Sequence, residues 1–161
     1  MIPVAHYNPI KTEYINPFIE SVSTVFRTML NLDVRRGKLY VKDGFQPSLE
    51  ITGVIGLSGA AKGSVLLGVG KSVAIRATEI LLGETFSTID HNVVDAVGEL
   101  TNMIVGSAKA QLESLNLNMG LPTVVVGKNH SVVFPTGIHP IGIPFESEAG
   151  AFCLEVSLVD S

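Results

Sequence analysis

Residues 90–112 read DHNVVDAVGELTNMIVGSAKAQL, and the spacing of apolar and polar residues along this stretch decides how the rest of the chain is organised. At about 100° per residue, Val93, Val97, Leu100, Ile104, Ala108 and Leu112 fall in one stripe, as a helix packed on a core requires. Asp90 suits the N-cap, so the spacing predicts a long helix over 91–116. The opposite stripe holds Asp95, Glu99, Asn102, Gly106, Lys109 and Glu113. A solvated helix face is the usual explanation of such a stripe. Gly98 and Gly106 argue for more, because a glycine inside a helix costs about 1 kcal/mol relative to alanine and leaves room for another surface. The flanking Ala96, Met103 and Ala110 are small or flexible rather than charged, so the outward face reads as a docking strip.

Outward from this helix, the pattern alternates between helical and strand periods. Asn16-Pro17 reads as a helix start, with Asn16 as cap and Pro17 in the first turn, followed by Phe18, Val22, Val25, Phe26, Met29 and Leu32 at helical spacing. This predicts a first helix over 16–30. Strands are expected over 34–41, 49–57 and 64–69, then a second helix over 72–82 closed by Gly83 as a left-handed cap. After Pro122, strands return over 123–127, 131–134, 141–145 and 150–159. Helix, three strands, two helices and further strands define an α/β class, with long helices packed on a largely antiparallel sheet in a single-domain sandwich.

A chain of 161 residues with 46% hydrophobic content can bury its core as one domain without metal or disulfide staples. Residues 1–12 read as an N-terminal extension and 13–161 as the domain. The lone Cys153 cannot form an internal disulfide, and its alternating apolar surroundings mark it as a small buried hydrophobe, compatible with a reducing compartment. No apolar run approaches the roughly 18 residues of a membrane span, and the start lacks a basic segment followed by an apolar core. Cytoplasmic residence without a membrane partner is the expectation. A net charge of −4, with 11 scattered Lys and Arg, gives no footprint for nucleic acid.

The segment from Asp95 to Gly106 resembles the signature helix of the CheX/CheC/FliY phosphatases: an acidic residue or serine, then Glu99, then Asn102 three residues after it. A bare Glu-x-x-Asn is common by chance. Asp95, Gly98 and Gly106 match the surroundings, however, and Asn16-Pro17-Phe18 and the Pro122 to Gly127 segment resemble other CheX segments, so the likeness covers most of the chain from about residue 13. The resemblance implies a CheC-like sandwich and an enzyme, a hydrolase that removes the aspartyl phosphate of a CheY-like response regulator in chemotaxis or related two-component signalling. Glu99 and Asn102 would be its catalytic residues, with Asp95, Gly98, Met103 and Gly106 meeting the partner. A carboxamide cannot act as a general base, but Asn102 can hold an attacking water in line with phosphorus. The family's glutamate pairs with a lysine of the regulator, so Glu99 would be an orienting clamp. The resemblance further implies no cofactor of the protein's own, a divalent metal on the regulator, and a homodimer joined through its sheet. The alternative is a noncatalytic module of the same fold that docks to a signalling or flagellar-switch protein.

Other motifs carry less. CheC-type members have two Glu-Asn pairs, and Glu13-x-x-Asn16 offers a second. Pro17 disfavours helical geometry at Asn16, which would leave Glu13 outside the helix and the pair off a common face. Gly70-Lys71-Ser72 invites a phosphate-loop reading, but Val65 stands where that motif needs its first glycine, so a strand-to-helix turn is expected. His6, His91, His130 and His139 show no metal-ligand spacing, and Ser58 and Ser64 lie outside any Gly-x-Ser-x-Gly elbow.

Overall fold

The computed structural model describes residues 10–42, 48–135 and 137–161. Helix α1 (Thr12–Leu30) is followed by β1 (Val34–Arg36), β2 (Tyr40–Val41), β3 (Ile51–Ser58) and β4 (Ala61–Val69). Helices α2 (Lys71–Leu82) and α3 (His91–Ala110), a single 3-10 turn (Glu113–Leu115), and β5 (Asn118–Met119), β6 (Thr123–Val126), β7 (Ile141–Ser147) and β8 (Gly150–Asp160) complete the order. The strands form one sheet in the order β1-β7-β8-β4-β3-β5, with β2 also on β7 and β6 also on β3. Every pairing is antiparallel, so this is a single α/β domain with three helices on an antiparallel sheet.

Period-two alternation on β8 turns Phe152, Leu154, Val156 and Leu158 into the core beneath the helices. Phe152 stacks between Phe26 of α1, at 4.4 Å between centroids, and Phe145 of β7, at 5.2 Å, which joins helix and sheet through aromatic area. Burial raises the Cys153 thiol on the opposite face to about 11, as suits an inert packing residue.

Two helix boundaries differ from the sequence expectation. Helix α1 starts at Thr12 with Lys11 as its cap, so Asn16 lies inside it and Pro17 is an interior proline. Proline there forfeits one backbone hydrogen bond. Tertiary contacts offset that loss: Tyr14 and Ile15 are buried, Lys11 Nζ lies 2.7 Å from Asp160 Oδ2, and the Tyr14 hydroxyl donates to Asp160 Oδ1 at 2.6 Å. Ile10 packs on the core as well, so the domain takes in residues 10–12, while residues 1–9 of the expected extension lie outside the described residues. Helix α3 stops at Ala110 rather than 116. The chain then tightens into the 3-10 turn and leaves through Asn116 at φ 46°, which brings Leu115 and Leu117 both into the core. Gly83 caps α2 in the left-handed region as expected, at φ 68°.

The strand expected over 131–134 is absent, and the one expected over 34–41 is split into β1 and β2. After β6 the chain instead crosses the helix-free face of the sheet. Its polar groups find side chains there: the Val132 carbonyl accepts from Lys42 Nζ at 2.8 Å, and His130 Nε2 lies 2.8 Å from the buried Thr52 hydroxyl. His130 Nδ1 donates to the Gly127 carbonyl at 2.6 Å, so in the neutral ring Nε2 accepts the Thr52 hydrogen.

Candidate docking face on helix α3

Asp90 starts α3 by accepting the Val93 amide at 3.1 Å. Val93, Val97, Leu100, Ile104, Ala108 and Leu112 are all buried, so the apolar stripe faces the core as its spacing predicts. On the outward side Asp95 and Glu99 are exposed, and Asn102, Gly106 and Lys109 are half-buried. Glu113 lies beyond the helix, in the 3-10 turn.

Glu99 and Asn102 stand one helical turn apart, separated by about 60° around the axis and about 4.5 Å along it. Neither side chain points into the core, and no hydrogen bond or ion pair to another described residue holds either one. A carboxylate and a carboxamide are thus presented together to an approaching surface. The carboxamide can accept and donate simultaneously, which suits it to hold a water, and the carboxylate can attract a cation.

The other strip residues divide. Asp95 and Gly106 lie on the outward side, with nothing nearer than Met119 Sδ, at 4.0 Å, to a Cβ placed on Gly106. Met103 is half-buried and packs on the core from the edge of the strip. Gly98 is a correction: it is buried, and a Cβ there would stand 3.4 Å from Val124 Cγ2 and 3.8 Å from Pro122 Cγ. The surface that approaches Gly98 is the chain's own β6 region.

Glu13 and Asn16, expected to be off a common face, are both on α1, three residues apart and exposed. Asn16 also borders an apolar groove of about 270 Å³ with Ile15, Leu39, Tyr40, Val41 and Ile141. Gly70 caps α2 in extended geometry directly after β4, which gives the strand-to-helix turn in place of a phosphate loop. Among the described residues no three His, Cys, Asp or Glu side chains are arranged to hold a metal ion, and no helix is long and apolar enough to cross a membrane.

The family model for the chemotaxis phosphatase CheX matches residues 51–146, a span that contains all of α3, and the chain belongs to this family. The CheY-P phosphatase CheX of Thermotoga maritima is 27% identical over 118 residues, covering 71% of this chain and 76% of that protein. A CheC-like superfamily protein from Shewanella sp. PV-4 superposes with a TM-score of 0.85 at 34% identity, covering 92% of this chain and 99% of that one. The CheX of Borrelia burgdorferi, solved in a CheX-CheY-BeF3-Mg complex, shares the fold with a TM-score of 0.79 at 21% identity, covering 93% of this chain and 100% of that one.

Proposed function

We propose that this protein is a hydrolase that removes the aspartyl phosphate of a CheY-like response regulator. The observation that carries the reading is the placement of Glu99 and Asn102 one turn apart on the outward side of α3, in a chain of the CheX family. The Thermotoga relative named as a CheY-P phosphatase and the Borrelia relative solved with CheY support the substrate class. Glu99 pairs with a lysine of the regulator and fixes the approach. Asn102 then holds a water in line with the phosphorus, and its gain is orientation rather than proton removal. The regulator holds the divalent metal and the labile acyl phosphate, so the chain needs no cofactor of its own. Asp95, Met103 and Gly106 complete the contact.

The same reading makes the protein a cytoplasmic homodimer joined at a sheet edge. Apolar side chains stand exposed at both edges, Leu121 just before β6 and Val126 at its end, and Tyr40 and Val41 on β2. Light scattering over a wide concentration range tests this, and a persistent monomer rejects it. For the reaction, purified protein is incubated with phosphorylated regulators and phosphate loss is followed. Tight binding to a regulator carrying a stable phosphoryl mimic without accelerated phosphate loss would replace the enzyme by a docking module.

A further inference from the structure

Each of the two functional residues follows, in sequence, a residue that rests on the sheet: Gly98 precedes Glu99 and Thr101 precedes Asn102. Gly98, Thr101 and Val105 recur at helical spacing and are all buried. Gly98 lies against Val124 and Pro122, as described above. Thr101 lies over Gly53 in the middle of β3. A Cβ built on Gly53 would overlap the Thr101 hydroxyl and come 3.0 Å from Thr101 Cβ and 3.3 Å from its Cγ2.

Neither partner of this contact can easily give way. Gly53 is held between Leu67 of β4 and Val124 of β6. Thr101 is fully buried, and its hydroxyl donates to the Val97 carbonyl at 2.7 Å, which holds the side chain in one of the two rotamers a threonine can take in a helix. A glycine inside a strand marks a place where another element approaches closely, and here that element is the turn bearing the candidate chemistry.

We propose that Gly53 and Thr101 are a positioning pair for the phosphatase reaction. The bare backbone at Gly53 sets the depth at which α3 lies on the sheet, and so fixes the height and rotation of the Asn102 carboxamide. This inference rests on the phosphatase reading above. Asn102 is one peptide unit from Thr101, so a displaced Thr101 backbone carries Asn102 with it. A shift of about 1 Å at a reacting centre can cost about 100-fold in rate. The Glu99 contact tolerates the same shift better, because a long side chain can follow a lysine.

The test measures kcat and KM for phosphate release, together with affinity for a regulator carrying a stable phosphoryl mimic. Gly53→Ala is expected to lower kcat by about 10- to 100-fold with mimic affinity within about threefold of wild type. The double variant Gly53→Ala/Thr101→Ala removes the overlapping hydroxyl and Cγ2 but keeps the 3.0 Å approach of the two Cβ atoms, so it should recover part of the lost kcat. Thr101→Ala alone removes volume and serves if Gly53→Ala does not fold. It should lower kcat several-fold at unchanged mimic affinity, because α3 then settles to a different depth. A folded Gly53→Ala or Thr101→Ala protein with lowered melting temperature and wild-type kcat overturns the positioning role, as does a double variant without recovery. Wild-type protein that accelerates no phosphate loss overturns the phosphatase reading itself, and the pair's role with it.

Discussion

The ammonium of Lys42 lies 3.0 Å from Glu155 Oε2 on the helix-free side of the sheet, with side chains only 5% and 9% exposed. A second contact to Glu155 Oε1 at 3.2 Å and one to the Val132 carbonyl at 2.8 Å also hold the ammonium, with the Phe134 ring centroid 5.4 Å away. One ion pair thereby joins the segment after β2, strand β8 and the chain that crosses the sheet. Lys42→Met would leave the Glu155 carboxylate buried and uncompensated, which costs about 3–5 kcal/mol. Urea unfolding should show that loss, and Lys42→Met/Glu155→Leu should regain much of it, since two apolar side chains need no mutual charge. Equal stability of the single variant and wild type would contradict the closed surroundings described here.

Asn102→Ala and Glu99→Ala should fail differently. Without the carboxamide the water loses its orientation while the docking surface survives, so phosphate release should fall by about 100-fold or more with binding to the mimic nearly intact. Without the carboxylate both binding and release should weaken, and the remaining association should depend less on salt. Parallel titrations at two ionic strengths and single-turnover assays distinguish the cases. Full activity of Asn102→Ala would reject water positioning.

Gly106 separates stability from docking. An alanine there has open space, with only Met119 Sδ near at 4.0 Å, and replaces the helix former of highest backbone entropy. Gly106→Ala should therefore raise stability by about 1 kcal/mol while weakening affinity for the regulator, because the added methyl group stands where the partner approaches. Thermal melting and mimic binding read the two effects independently, and unchanged affinity would remove Gly106 from the interface.

The hydrogen bonds from Lys11 and Tyr14 hold the Asp160 carboxyl below its usual value of 3.8. A carboxylate with a depressed value in the folded state contributes stability above its unfolded value, and loses that contribution as pH falls through the folded one. The melting-temperature gap between wild type and Asp160→Asn should thus be present near neutrality and shrink in acid below 3.8. The contribution is small because Lys11 and Asp160 are about half exposed. A gap that persists unchanged into strong acid would show that packing, rather than charge, joins α1 to β8.

The core stripe of α3, its Asp90 cap and the Gly83 stop were legible in the sequence, because helix period and capping chemistry are local. The start of α1 was not. Pro17 signals a helix beginning, yet burial of Tyr14 and Ile15 against distant residues outweighs the missing backbone bond. Residues 131–134 carry the β-branched and aromatic residues of a strand, but their partners are the side chains and surface of an existing sheet rather than a free edge. The outward placement of Glu99 and Asn102 was legible from their helical spacing. Gly98 was assigned to the wrong neighbour because a helical wheel does not say where the sheet lies. The small and buried series Gly98, Thr101 and Val105, read beside the mid-strand Gly53, was the available signal.

Strand β8 comes after every other strand in the chain, yet it lies between β4, with which it pairs from Ala61 to Val69, and β7, with which it pairs from Ile141 to Ser147. During synthesis the halves of the sheet therefore emerge with a gap where its middle belongs. Until the β8 residues clear the ribosome, β4 exposes a full-length unpaired edge beside buried-type side chains, the situation in which a nascent chain is most open to chaperones and to misassembly. Any stalled or truncated product lacking β8 is a sheet without its centre rather than a domain missing an edge.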